Sequence, residues 1–396
     1  VRGRRHCRES FFAGRAPGIP AYRTSHFQHK ILLKTCAVER QVNCCLPVSH
    51  FLGDIRENNP FCRDRPPVKI RVIPAQPHCF AFGGFDIQMH RTNAILQAAG
   101  IDARPLDLWS RDGDFEILHF WGLEEAHLLA ARFAKRYGKK IVLTPLVEYV
   151  TPYSVLRFSA SLLEGAARRR IRLARMVDKF LVVNEAQGRT MQRLYRVPAH
   201  KIHIIPTILE EHFFQQAPQA DALANGFSGF VLAPGNICAR KNQIRLAQAA
   251  IATQTPVLFA GDTVGGEAPY GAEFEKLIEP HPFLRWNRWM DWPALQLAYR
   301  ASRGVVLPSF LEQQPTIGLE AAALGKPLML GDKPYAYQNF YRNAYLARPA
   351  SVDHIAKGLS AMAADPARYT PPPGPVQDCR ADRVVAKLKD IYASLV

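Results

Sequence analysis

Two glutamates and a lysine are the residues in this chain whose types and spacing could do chemistry together. Glu312 and Glu320 stand eight positions apart, in the run Val305-Val306-Leu307-Pro308-Ser309-Phe310-Leu311-Glu312 and on through Pro315, Gly325 and Pro327. The run reads as strand, loop, helix and strand. Val305 to Leu307 is apolar and closed by Pro308-Ser309, Pro315 stands where the first turn of a helix tolerates proline, and Gly325 stands where a helix stops. A βαβ unit of this kind offers ligands the crevice outside the carboxyl ends of its strands, where a helix N-terminus presents unpaired N–H groups to a phosphate. Glu312 lies in the loop before the helix and Glu320 inside it, so both are expected to face one crevice. Glu320 would accept from the vicinal hydroxyls of a ribose and Glu312 from a sugar hydroxyl. The spacing suits a nucleotide sugar.

The elements around this unit alternate regularly. From Val68 onward short apolar strands are separated by helical stretches, including one expected to run unbroken from Leu156 to Met176. The pattern lapses around Leu209 to Gly226 and resumes at Phe230, and a last helix is expected from about Arg380 to Leu395. Strands alternating with helices mean a mostly parallel sheet, and two such series mean two Rossmann-like halves. The expected division is a basic, Cys-containing extension over 1–66, an N-terminal acceptor domain over 67–210, a C-terminal donor domain over 211–370 and a tail over 371–396. Residues 1–66 carry 12 Lys/Arg against 5 Asp/Glu and five of the eight cysteines without a sustained period, so they are expected to be disordered or foreign to the folded protein.

At 396 residues and 48% hydrophobic, the chain can bury a large core, and its apolar runs fall short of the ~18 residues that a membrane span requires. A net charge of +17 favours anionic partners. The cysteines show neither zinc spacing nor a disulfide framework, so a reducing cytoplasm is the expected setting.

The pattern P-S-x-x-E-x7-E-A, continued by A-x-G-x-P and an apolar strand, resembles the retaining GT-B glycosyltransferases called family 4 or group 1, over roughly residues 68–396. The resemblance implies an α/β GT-B fold, with two Rossmann-like domains facing a cleft and a C-terminal helix crossing back to the first. It implies transfer of a sugar, with retention, from a nucleotide diphosphate sugar to a glycan or lipid-linked acceptor, in cell-envelope or exopolysaccharide synthesis. Ser309, Thr316 and Ile317 are then donor-binding residues beside Glu320, and Glu312 is catalytic. Gly83-Gly84 resembles the glycine loop that lets backbone amides approach the diphosphate. The segment Gly235-Asn236-Ile237-Cys238-Ala239-Arg240-Lys241-Asn242 resembles G-R-x4-K-[GN], whose cations neutralise the departing diphosphate. Lys241 stands at the lysine position and Asn236 at the arginine position, with Arg240 as a substitute charge.

His119 is expected at the carboxyl end of its strand, facing the cleft as a sugar or acceptor contact. Asp112-Gly113-Asp114 imitates a metal-binding D-x-D but reads as a turn, so neither metal nor cofactor is expected. The helix carrying Arg168 to Arg175 is basic and amphipathic, which suits peripheral contact with an anionic membrane at the inner face. Two other readings stay open, a nucleotide-sugar epimerase on the same architecture and a basic nucleic-acid-binding protein. The second has the charge but no interleaved aromatic and basic repeats and no recognition-helix signature, so no nucleic-acid partner is expected.

Overall fold

A computed structural model describes residues 68–80, 83–215, 223 and 226–396. The expectation for 1–66 lies outside them.

The first half runs β1 (Lys69–Ile73), α1 (Gly84–Ala98), β2 (Asp102–Pro105), β3 (Ile117–Trp121), α2 (His127–Arg136), β4 (Lys140–Thr144), α3 (Pro152–Leu163), α4 (Ala166–Met176), β5 (Lys179–Val182), α5 (Glu185–Tyr195) and β6 (Ile202–Ile204). Its strands form one sheet in the order β2-β1-β3-β4-β5-β6, every pair parallel. The second half runs β7 (Val231–Pro234), α6 (Gln243–Thr253), β8 (Val257–Ala260), α7 (Ala268–Ile278), β9 (Leu284–Asn287), α8 (Trp292–Ala301), β10 (Gly304–Leu307), α9 (Thr316–Ala323), β11 (Leu328–Gly331), β12 (Tyr345–Ala347), α10 (Val352–Ala364) and α11 (Ala381–Ala393). Its sheet, β12-β11-β10-β7-β8-β9, is likewise all parallel. The central strands β7, β8, β10 and β11 are buried at every position, because helices cover both faces of a parallel sheet, and this is why they read as continuous apolar runs.

Each sheet has one place where its strand order reverses, between β1 and β3 in the first and between β7 and β10 in the second. Connections leave such a pair toward opposite sides, which opens a crevice at the carboxyl ends. The loops expected to carry chemistry follow β7 and β10.

The last helix belongs to the first half. Val384, Val385, Leu388, Ile391 and Tyr392 of α11 share a core with Ile70 and Val72 of β1, Leu96 of α1 and Ile117 of β3. Full burial of each such side chain stabilises by about 1.5–3 kcal/mol. The segment leading into α11 is tied down as well. Leu209 N–H donates to the Cys379 carbonyl at 2.8 Å, and Arg380 pairs with Glu211.

One expected element is corrected. The long helix from Leu156 to Met176 is two helices, because Gly165 between them takes φ +84 and ends α3 as a left-handed cap. Apolar periodicity continues through the break, whereas Gly165 supplies the conformation that stops the helix.

Leu388 is 1% exposed on α11. Leu388→Ala is expected to destabilise the protein by about 2–5 kcal/mol through the cavity it leaves, read as a lowered urea midpoint.

Candidate active site

The site is built on the β7/β10 switch point. After β7 the chain turns at Gly235, whose φ of +120 only glycine adopts readily, and a Cβ there would lie 3.0 Å from Lys241 Nζ. A short 3-10 turn, Ala239–Lys241, then delivers both cations. Asn242 follows with φ +68, and its side-chain N–H group donates to the carbonyls of Pro308 (3.1 Å) and Pro349 (2.8 Å). The turn that carries Lys241 is thereby fastened to the loop after β10. Phe310 N–H adds a bond to the Arg240 carbonyl at 2.9 Å.

Glu312 is the meeting point. Its Oε1 lies 3.0 Å from an Arg240 guanidinium nitrogen and 3.2 Å from Lys241 Nζ, and accepts from Ser309 Oγ at 3.1 Å. The Glu312 side chain is 12% exposed. Burial pushes its carboxyl up, but Lys241 and Arg240 outweigh burial and hold the pKa below the ordinary value, so the group stays ionised. The structure therefore brings Glu312, Lys241, Arg240 and Ser309 together.

Glu320, one turn inside α9, is 8% exposed and accepts a hydrogen bond from the buried Tyr299 hydroxyl. Burial raises its pKa to about 7, against the pull of the Tyr299 bond, of Arg91 and of Lys241. Thr316 and Ile317 form the half-buried first turn of α9. Asn236 is exposed beyond β7, and its backbone carbonyl accepts from Gln243 at 2.8 Å.

Gly83 and Gly84 open α1 after β1, at the switch point of the first sheet, with open space where a Cβ would stand. The Gly83 N–H is already bound by the Asp86 carboxylate at 2.9 Å.

His119 does not face the cleft. It occupies the middle of β3, is 1% exposed, and shares hydrogen bonds with Thr144 Oγ1 of β4 (2.9 Å) and the Tyr392 hydroxyl of α11 (3.1 Å). Burial lowers its pKa to about 3, so it is neutral and both ring nitrogens are engaged. It is a core residue linking α11 to the first sheet, and the expected sugar or acceptor contact is withdrawn. Asp112-Gly113-Asp114 is a turn, with Asp114 N–H bound to the Asp112 carboxylate at 2.9 Å. Among the described residues no three His, Cys, Asp or Glu are grouped to hold a metal ion.

Residues 61–210 match the family model described as Glycosyltransferase Family 4. The chain has the GT-B fold, and its residues 61–210 are similar to Glycosyltransferase Family 4. The structure of Anabaena HepE with UDP superposes with a TM-score of 0.67 at 15% identity, over 83% of this chain and 100% of HepE. Sucrose-phosphate synthase of Thermosynechococcus elongatus gives 0.66 at 16% identity, over 84% and 99%. A glycosyltransferase of Rickettsia africae gives 0.61 at 12% identity, over 84% and 99%. A search of curated protein sequences finds no match.

The loop that carries Glu312 is also held by the first half, through residues that sequence reasoning passed over. Gln313 donates to the Val147 carbonyl (3.2 Å), and its own carbonyl accepts from Asn184 (2.6 Å). Gln314 accepts from Thr207 N–H (2.6 Å) and donates to the Val183 carbonyl (3.0 Å). The Tyr149 hydroxyl donates to the Phe310 carbonyl at 2.9 Å. A small pocket beside Glu312 is lined by Tyr149, Asn184, Gln187, Gln313 and Tyr335. No periodicity marks a polar side chain whose partner is a distant backbone group. The pair Gln313-Gln314 in a loop otherwise read for its glutamate was the available signal.

Because the pKa of Glu320 is raised on folding, its contribution to stability is full below the unfolded value near 4.5 and is lost as pH rises through about 7. Glu320→Gln should remove this loss. Unfolding free energies from urea titrations across that window are expected to fall for the wild type relative to the variant, by up to about 3 kcal/mol.

Proposed function

We propose that this protein is a glycosyltransferase that takes its sugar from a nucleotide diphosphate sugar and passes it, with retention, to a glycan or lipid-linked acceptor in cell-envelope or exopolysaccharide synthesis on the cytoplasmic side. The observation that carries the proposal is the pairing of Lys241 and Arg240 with Glu312 at the carboxyl ends of β7 and β10. Two cations and the start of α9 are suited to a diphosphate, and a carboxylate beside them is suited to the sugar attached to it. That HepE was solved with UDP and with UDP-glucose supports a nucleoside diphosphate donor.

In this reading an arriving diphosphate draws Lys241 and Arg240 toward its own charge, which frees Glu312 to accept from a sugar hydroxyl and to stabilise positive character at C1. As the C1–O bond breaks, negative charge grows on the β-phosphate. Lys241, the amides at Thr316 and Ile317 and the loop at Gly84 meet it, so the reading requires no metal. Ser309 holds Glu312 in orientation. Glu320, with Tyr299 on one oxygen, offers the other to the ribose.

Lys241→Ala should lower kcat by roughly 10²–10³-fold, because the lost charge is needed most as the bond breaks. Glu320→Ala should instead raise the donor KM by about 10- to 100-fold. The donor is first found by a thermal-shift screen of nucleoside diphosphates, and the anomeric configuration of the product is then read by NMR. Epimerised donor formed without an acceptor would replace this reading with an epimerase, and an inverted product would remove retention.

A further inference from the structure

The break at Gly165 divides what reads as one amphipathic helix into an apolar helix and a basic one, and the two expose complementary stripes. Ser154 is the one residue of α3 that is fully buried, while Phe158, Ser161 and Leu162 are half-buried. The opposite side, Tyr153, Leu156, Ala160 and Leu163, follows helical spacing and is open to solvent, with Tyr153 and Leu156 each 69% exposed and Leu163 83%. On α4, Ala167, Leu173 and Ala174 face inward. Arg168, Arg172 and Arg175 face outward at i, i+4 and i+7 and make no ion pair among the described residues. Their neighbours Arg169 and Arg170 are paired with Glu125 and Glu124. From 152 to 176 the sequence holds six arginines against one acidic residue, Glu164.

We propose that α3 and α4 together seat this protein on the surface of an anionic lipid bilayer. Exposed leucines and a tyrosine lose unfavourable contact with water by entering the boundary between head groups and acyl chains, while the arginine stems lie along it with their charges at the lipid phosphates. A polyanion in water would satisfy the arginines and leave the leucines exposed. A second copy of the chain would cover the leucines and set two arginine stripes against each other. A lipid surface satisfies both stripes at once. No helix among the described residues is long and apolar enough to cross a membrane.

The placement also concerns the acceptor. The loop that leads into α3 carries Tyr149, which is bonded to the Phe310 carbonyl two residues before Glu312. A docked α3 therefore holds the mouth of the cleft near the bilayer, which favours the lipid-linked acceptor class and on that point alone rests on the function proposed above.

The test is co-sedimentation of the full chain with vesicles of phosphatidylcholine alone or of equimolar phosphatidylcholine and phosphatidylglycerol. The wild type is expected to pellet with the mixed vesicles and not with phosphatidylcholine alone. The Arg168→Ala/Arg172→Ala/Arg175→Ala variant should lose on the order of 100-fold in partitioning. Leu156→Ser/Leu163→Ser should lose more than roughly 10-fold. Both variants change exposed side chains, so their thermal unfolding and nucleoside-diphosphate thermal shift should match the wild type, which separates failure here from failure of the donor site. A wild type that pellets with neither vesicle, or folded variants that pellet as the wild type does, would overturn the proposal. So would a dimer seen by analytical ultracentrifugation that the leucine variant dissociates, coupled with no vesicle binding.

Discussion

A carboxylate taken out of water must find positive partners, and in this protein Glu312 finds two. Removing a charge from water costs several kcal/mol, and one cation on a flexible stem repays this only where its geometry is fixed. Here the geometry is fixed from below. Gly235 leaves room for the lysine stem, and Asn242 binds the carbonyls that follow β10 and β12. The two loops of the switch point are thus joined by hydrogen bonds before either meets a ligand. The order of the second sheet is what brings those loops side by side.

The same loop answers to the first half. Gln313 and Gln314 reach backbone groups at Val147, Val183 and Thr207, so the segment between β10 and α9 belongs mechanically to both sheets. Two sets of bonds converge on six residues of chain, one set holding the cations to Glu312 and the other holding the loop to the opposite wall. A change in the angle between the halves must break one set or carry the loop along with it.

What the sequence made legible follows from how local each signal is. The βαβ unit around Glu312 was readable because proline, glycine and apolar runs mark its boundaries within a few residues, and Lys241 was readable as part of a motif of fixed spacing. His119 was placed on the correct strand and misjudged within it, since whether a strand residue sits at the rim or in the middle depends on its register with β4, which no local pattern carries. The break at Gly165 was hidden because hydrophobic spacing survives a single left-handed residue. Tyr299 on Glu320 is a contact across 21 positions between two helices, and it required coordinates.

The closing helix has a consequence for how the molecule comes into being. Translation delivers β1, α1 and β3 early, yet the apolar wall that they present to Val384, Val385, Leu388, Ile391 and Tyr392 stays uncovered until the whole second half has been synthesised. The core of the first half is therefore incomplete while that half alone has left the ribosome. Its completion waits on the far end of the polypeptide, so an apolar face stays open to water in the interval.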